Sequence, residues 1–376
     1  MELSEALRTL AKFPGAAGPV LSVYLHTQWY DQHQRERVRI FLTGHINQAR
    51  TLVLHSEEAR QSLEHDLDRL AEWGQQLVAG DSTTRMPGMA LFACHAANMW
   101  LEFPAARPFE DAFTLDERPA LRQLAHLDED YASALLVLID SRSARVYEIL
   151  SGGIVDEIDF SNVFPGRHKQ GGWSQMRYQR HVLEFMERHH REVAASVTAY
   201  LEAHPHTCLM LSGQQDIVAN FRATLSEPMQ QRIIEALHLD MHASRGRLLA
   251  AAQEVLAQHE RAEEQSAVER VLDLTAQNGL GVLGLQATLE AVNAARVQQL
   301  VLQDTAQLPG WRCLQCDHLL AQAALQCPLC GGEVSTTDLR EAMVSAVLRT
   351  DGTVELIEPD ERLESYDGVG ALVRYK

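Results

Sequence analysis

The run Ala134-Leu-Leu-Val-Leu-Ile-Asp140, followed by Ser141-Arg-Ser-Ala144 and then Arg145-Val-Tyr-Glu-Ile-Leu150, decides how the chain is read. It predicts a strand, a turn and a second strand; Gly152-Gly153 and a third strand near Ile154 to Phe160 complete a β-meander. Gly166 to Gly172 reads as a loop. From Ser174 the apolar positions Tyr178, Val182, Phe185, Val193, Val197 and Leu201 keep helical spacing. Alternation of α and β then continues: a strand at 207–212, a helix near 214–224, a strand near Ala236 to Asp240 and a helix from about Ser244 to Gln277. This is an α/β unit over residues 131–270.

On the N-terminal side, residues 1–130 read as an α+β domain. A short amphipathic helix over 1–13 precedes the strand Val20-Leu-Ser-Val-Tyr-Leu25; helical patterns cover about Glu36 to Arg50 and Glu57 to Val78; strands follow at 89–94, 98–103 and 110–115. On the C-terminal side, residues 271–376 read as a small α/β sandwich: Gly281 to Gly284, a helix near Gln286 to Ala295, the strand Val297 to Leu302, a helix near Asp338 to Leu348, and strands at 353–357 and 370–375. Inserted in it, over 311–333, are two cysteine knuckles. A chain of 376 residues with 46% hydrophobic and 22% charged residues can fill such cores in two or three domains.

The knuckles are Cys313-Leu-Gln-Cys316 and Cys327-Pro-Leu-Cys330-Gly-Gly, ten residues apart. Two Cys-x-x-Cys turns offer four thiolates, which suits tetrahedral zinc, and Gly331 and Gly332 let the backbone bend around the metal. Four thiolates close the coordination sphere, so the expected role is structural, with Cys313, Cys316, Cys327 and Cys330 as ligands. A redox dithiol or disulfide pair is the alternative. Cys94 and Cys208 lie in strand-like runs and read as buried thiols rather than nucleophiles.

Three other patterns look chemical and are read as structural. Gly279-Leu-Gly281-Val-Leu-Gly284, with Asp304 twenty residues on, fits the dinucleotide fingerprint, but its glycines follow a helix and Val282-Leu283 is itself strand-like. His238-Leu-Asp240-Met-His242 would alternate on a half-exposed strand, and His189-His190 reads as part of a polar helical face. Walker loops, nucleophile elbows and His-Glu-x-x-His are absent from the sequence.

A net charge of −18 excludes general phosphate-backbone binding, so any RNA contact must be local. Residues 167–191 supply the place: Arg167, Lys169, Arg177, Arg180, Arg188 and Arg191 stand against only Glu184 and Glu187, with His168, His181, His189 and His190 added. Within this island, Gly171-Gly172-Trp173-Ser174-Gln175 combines a glycine turn, an aromatic ring and an amide at the start of a helix, whose free N–H groups favour phosphate oxygens. A neutral Gln175 could contribute chemistry only by placing a water or an oxyanion through hydrogen bonds. An ordinary flexible loop with a solvated basic face is the plain alternative. No run approaches the ~18 apolar residues of a membrane span, and the start Met1-Glu2-Leu3-Ser4-Glu5 lacks the pattern of a signal peptide, so a cytoplasmic protein is expected.

The order of these units resembles the archaeo-eukaryotic release factor and Pelota superfamily, and more closely its bacterial members, ribosome hibernation factors among them. The residues that carry the resemblance are 171–181, Leu237 to Ala243, Gly281 to Glu290, Trp311 to Cys316 and Gly368 to Tyr375. It covers residues ~131–376, and 1–130 by domain order. The resemblance implies a three-domain, tRNA-shaped monomer that enters the ribosomal A site. Its first domain would lie near the decoding centre and 16S rRNA, its middle loop at the peptidyl-transferase centre of 23S rRNA, and its last domain toward elongation factor Tu or another translational GTPase. Arg167, His168, Lys169, Gly171, Gly172, Trp173, Gln175, Arg177 and Arg180 would then meet RNA. Release factors of the superfamily carry a contiguous Gly-Gly-Gln, whereas here Trp173 and Ser174 separate Gly172 from Gln175, and the Asn-Ile-Lys-Ser element tied to stop-codon reading is missing. A small offset of a catalytic group is costly, so occupancy of idle or stressed ribosomes is the leading expectation. Peptidyl-tRNA ester hydrolysis with Gln175 placing water is the second, and a zinc-containing cytosolic adaptor is the third.

Overall fold

The computed structural model describes residues 3–376 other than 16–17, 30–31, 55, 81–85, 106–107, 131–132, 151–152, 162–172, 206 and 238. Its contacts divide the chain into two compact units, 131–261 and the pair of segments 1–130 and 262–376. Helices, parallel strands and antiparallel strands are all present, so the class is mixed α/β and α+β.

The first segment contains α1 (Leu3–Ala11), β1 (Val20–His26), α2 (Gln32–Ala49), α3 (Glu57–Ala79), β2 (Gly88–Cys94), β3 (Met99–Ala105), β4 (Ala112–Asp116) and α4 (Arg122–Asp130). The four strands form an antiparallel sheet in the order β3-β2-β1-β4. Alternation along β1 sends Leu21, Val23 and Leu25 into a core with Val38, Leu42 and Ile46 of α2 and Leu63, Leu67 and Leu70 of α3. Ser22 and Tyr24 point to the other face, where the Tyr24 hydroxyl donates to the Ala120 carbonyl at 2.6 Å and the Ser22 hydroxyl accepts the Ala120 N–H at 3.0 Å. Ser56 caps α3 by accepting the Ala59 N–H at 3.0 Å, and Glu57 and Glu58 complement the positive end of that helix.

The second unit starts with β5 (Ala134–Ile139), β6 (Ser143–Leu150) and β7 (Gly153–Ser161), continues through α5 (Trp173–Ala203), β8 (Cys208–Ser212), α6 (Gln215–Thr224), α7 (Glu227–Gln230) and β9 (Ile233–Leu237), and leads into α8 (Arg245–Ala276). Strand order is β7-β6-β5-β8-β9, with the meander antiparallel and β5, β8 and β9 parallel. Asp140 builds the first turn, its Oδ1 accepting the N–H groups of Arg142 and Ser143 at 2.6 and 2.7 Å. β5 is buried on both faces: Leu135, Val137 and Ile139 meet Val193 and Val197 of α5 and Phe221 of α6, while Ala134, Leu136 and Leu138 meet Leu248, Ala252 and Leu256 of α8. The result is a sheet between two helical layers.

Two sequence readings fail here. The strand expected through His238, Asp240 and His242 ends at Leu237; Asp240 is in a turn and accepts the His242 N–H at 2.7 Å, and His238 is outside the described residues. His189 and His190 lie in the core rather than on a polar face, with His190 edge-on to Phe221 at 5.9 Å. Burial pushes the His190 pKa down, the neighbouring His189 adds to this, and the ring therefore contributes no charge to the basic island at neutral pH.

The last segment adds β10 (Gly281–Leu283), α9 (Leu285–Asn293), β11 (Val297–Gln303), β12 (Pro309–Cys313), β13 (Leu319–Leu320), β14 (Val334–Asp338), α10 (Leu339–Arg349), β15 (Thr353–Ile357), α11 (Glu361–Glu364) and β16 (Val369–Val373). A four-stranded sheet in the order β10-β16-β11-β15 and a three-stranded ribbon in the order β13-β12-β14 result. Gly279 and Gly281 turn α8 into β10, and Gly284 ends that strand as the N-cap of α9. Gly279 N–H closes the end of α8 on Leu274 O, and a Cβ at Gly281 would sit 2.5 Å from Val271 O. Asp304 pairs with Arg122, so it is a structural partner and not a ribose ligand.

Candidate functional site

The ribbon assembles the four-cysteine cluster from two knuckles with one backbone pattern. In the first, Cys313 N–H donates to His318 O at 3.0 Å and Asp317 N–H donates to Cys313 O at 3.0 Å; in the second, Cys327 N–H donates to Gly332 O and Gly331 N–H to Cys327 O, both at 2.9 Å. The fourth residue after each leading cysteine is left-handed, Asp317 at φ 58° and Gly331 at φ 76°. Gly331 is therefore required for conformation, and Asp, which tolerates that region better than most residues, serves in the other knuckle. The equivalent offset of Asp317 and Gly331 from their cysteines was legible in the sequence as a second left-handed position.

All four Sγ atoms lie within 4.8 Å of one another, Cys313 and Cys330 at 3.5 Å and Cys316 and Cys327 at 3.6 Å. A tetrahedron of Zn–S bonds of about 2.3 Å needs S···S edges of about 3.8 Å, so the set fits zinc with little adjustment. None of the four cysteines is in a disulfide. Backbone N–H groups point at two of them, Gln315 at Cys313 Sγ and Gly332 at Cys330 Sγ, both at 3.4 Å, which suits thiolates rather than thiols. Cys313 and Cys327 are buried and Cys316 and Cys330 exposed.

The ribbon is anchored on both sides. The Asn293 amide imitates a strand, accepting the Leu319 N–H at 2.8 Å and donating to Leu319 O at 2.9 Å. The residues flanking the first knuckle form reciprocal ion pairs with the end of β4 and the residues just after it: Arg312 with Asp116, and Asp317 with Arg118 at 2.6 Å. Asp317 also meets Arg349 at 3.3 Å. Sequence reading missed Arg312, Asp317 and Asn293 because their partners are up to 199 residues away. Cys94 is buried and its thiol pKa is pushed up by that burial, as expected of an inert thiol; Cys208 is half-buried in β8.

Of the residues expected to meet RNA, Arg167, His168, Lys169, Gly171 and Gly172 lie outside the described residues. Trp173, Gln175, Arg177 and Arg180 belong to the first turns of α5, and their side chains are likewise outside the description. Gln175 is helical in backbone, in the turn that follows the glycines. Further along α5, Arg188 and Arg191 are exposed; Arg188 stacks on Phe185 at 5.0 Å and Arg191 approaches Glu187 at 3.9 Å.

Residues 119–264 match the model of bacterial archaeo-eukaryotic release factor family 10. Peptide chain release factor subunit 1 of Archaeoglobus fulgidus is 22% identical over 234 residues, covering 60% of this chain and 54% of that protein. The chain thus spans about half the length of that curated relative. Among solved structures, Archaeoglobus fulgidus Pelota aligns over 77% of this chain and 79% of its own at 17% identity and a TM-score of 0.34. Dom34 of S. cerevisiae, described as a translation termination-like factor involved in RNA quality control pathways and interacting with Hbs1, aligns over 74% of this chain and 75% of its own, at 11% identity and a TM-score of 0.41. A ribosome-bound archaeal Pelota aligns over 100% of this chain and 94% of its own at 15% identity and a TM-score of 0.41.

Proposed function

We propose that this protein is a release factor-like and Pelota-like translation factor that binds the ribosome and occupies the A site of idle or stressed ribosomes, as a hibernation or protection factor. The observation that carries the reading is the match of residues 119–264 to a bacterial release factor family, which spans the whole basic island and the helix that bears it. The resemblance carried by residues 171–181, Leu237 to Ala243, Gly281 to Glu290, Trp311 to Cys316 and Gly368 to Tyr375 points in particular toward the hibernation factor Balon. In this reading residues 1–130 face the decoding centre and 16S rRNA, 131–270 bring the Gly171-Gly172-Trp173 turn to the peptidyl-transferase centre, and 271–376 face elongation factor Tu or another translational GTPase.

Local basicity suits such a role in a chain of net charge −18, since Arg167, Lys169, Arg177 and Arg180 can displace counterions from rRNA phosphates while the rest of the surface repels nucleic acid. Zinc holds Cys313, Cys316, Cys327 and Cys330 as a structural ion and keeps the ribbon folded. Gln175 sits in a helical turn rather than directly after the glycines, which supports occupancy over ester hydrolysis. No helix among the described residues is long and apolar enough to cross a membrane.

The test is co-sedimentation with vacant 70S ribosomes across a salt series, with A-site tRNA as competitor and with or without elongation factor Tu. Salt-sensitive binding displaced by tRNA, and weakened at least tenfold by Arg177→Glu with Arg180→Glu, is expected; unchanged affinity of that variant sinks the reading. Release of a labelled nascent chain that Gln175→Ala abolishes would instead establish hydrolysis.

A further inference from the structure

We infer that the free edge of the five-stranded sheet, β7 with the groove beside it, docks an extended segment of a partner protein in which an apolar residue and a lysine or arginine stand two positions apart. This contact is with protein and does not depend on the ribosome reading.

β7 is the end strand of its sheet. Its inner side pairs with β6 from Ser143 opposite Ser161 to Leu150 opposite Gly153, and no described strand pairs with its outer side. Such an edge offers backbone donors and acceptors to an incoming strand. On the face toward α5, a groove opens with Leu135, Val146 and Val197 as its floor and Ile158, Phe160 and Tyr200 as its wall. Val193, Val197 and Leu201 of α5 seal the sheet over β5, but the cover thins toward β7, where Ile158 stays 47% exposed.

The groove mouth calls for a cation. Glu148 and Asp156 face each other directly across β6 and β7, and both line the opening. Like charges opposite one another weaken a strand pair. The nearby arginines do not relieve them: Arg145 and Arg245 are both drawn to Glu157 on the opposite face, at 2.6 and 3.9 Å. Deeper in, the Tyr200 hydroxyl is shielded from solvent beside Glu148. Burial and the adjoining Glu148 and Asp156 raise its pKa, so it stays protonated. An edge defended only against self-pairing needs charge, but neither an apolar groove nor a buried hydroxyl beside it.

The spacing sets the occupant. Asp156 and Ile158 are two residues apart on one face of β7, so a strand added to that edge presents every second side chain to the groove, about 6.6 Å apart. An apolar side chain over Ile158 then places a cation two residues along at Glu148 and Asp156.

The experiment uses the full chain labelled at isoleucine methyl groups, with the Ile158 signal assigned through Ile158→Val, and a fluorescent peptide Val-Ser-Arg-Ser-Val-Ser-Arg. The peptide should shift the Ile158 methyl. Glu148→Gln with Asp156→Asn should bind at least tenfold more weakly while melting no lower than the parent, because that change removes a repulsion. Equal binding of Val-Ser-Glu-Ser-Val-Ser-Glu, or of Ser-Ser-Arg-Ser-Ser-Ser-Arg, overturns the inference. So does undiminished binding by the double variant, or reproduction of the Ile158 shift by millimolar Mg²⁺ alone.

Discussion

Glu341→Gln should make the unit formed by residues 1–130 and 262–376 more stable, and more so as pH rises. Glu341 stands in the first turn of α10 with its carboxylate against the start of α4, where it accepts the N–H of Leu121 and, at 3.2 Å, that of Arg122. Burial raises its pKa from 4.5 to about 7, against the pull of those N–H groups and of Arg122. The folded protein therefore holds this proton to higher pH than the unfolded chain does, and stability falls as pH climbs from about 4.5 to about 7. With those two values the cost of ionisation is about 0.8 kcal/mol at pH 5 and about 3.3 kcal/mol at pH 8, a difference of about 2.5 kcal/mol. Gln stays neutral and keeps a carbonyl oxygen to accept an N–H. Four of the five tryptophans, Trp29, Trp73, Trp100 and Trp311, belong to this unit, so urea unfolding can be followed by tryptophan fluorescence. The gain of the variant over the parent should grow by about 2–3 kcal/mol between pH 5 and pH 8. Proton release by the thiols is common to both proteins and cancels. A gain that is the same at both pH values, or shrinks, refutes the assignment of a desolvated carboxyl.

Chelation under reducing conditions should release one zinc per chain, turn four protected thiols reactive and speed amide exchange in β12 to β14; an unchanged thiol count would remove the metal from the ribbon. Gly331→Ala meets nothing within 4 Å, so it should cost only the left-handed strain of about 1 kcal/mol, some fivefold in zinc affinity by competition titration, with Gly331→Asn recovering most of it. Gly213→Ala is harsher, because its Cβ would lie 2.2 Å from the Ile139 carbonyl at φ 154°, and a loss of about 2–3 kcal/mol should appear in thermal melts of the second unit. His190 is held neutral in the core, so stability of that unit should fall as pH drops below 6.5, and His190→Phe should flatten the slope.

Element by element, the sequence carried far where periodicity and composition were strong. The apolar run at Ala134–Ile139, the meander after it and the long helix from Trp173 lie where their patterns put them. The glycines before β10 were legible as a helix-to-strand turn because they follow a helix. Reading failed at His189-His190, where two polar residues interrupt an apolar stripe and tertiary packing overrides their ordinary preference for water. It failed again at His238 to His242, where an alternating pattern meets the Asx turn of Asp240 and the strand stops.

Local chemistry was thus settled by the sequence alone: two Cys-x-x-Cys knuckles bring their sulfurs within reach because each tight turn fixes two thiols without help from afar. The basic island, with six cations in 25 residues of an acidic chain, is likewise a property of composition. What surrounds these features was decided by tertiary structure. Arg312 and Asp317 find Asp116 and Arg118, Glu341 finds the start of α4, and Glu148 is set opposite Asp156 only once sheets and segments have assembled. Those contacts depend on strand register and on chain segments up to 220 residues apart, and nothing in the local spacing of residues encodes such distances.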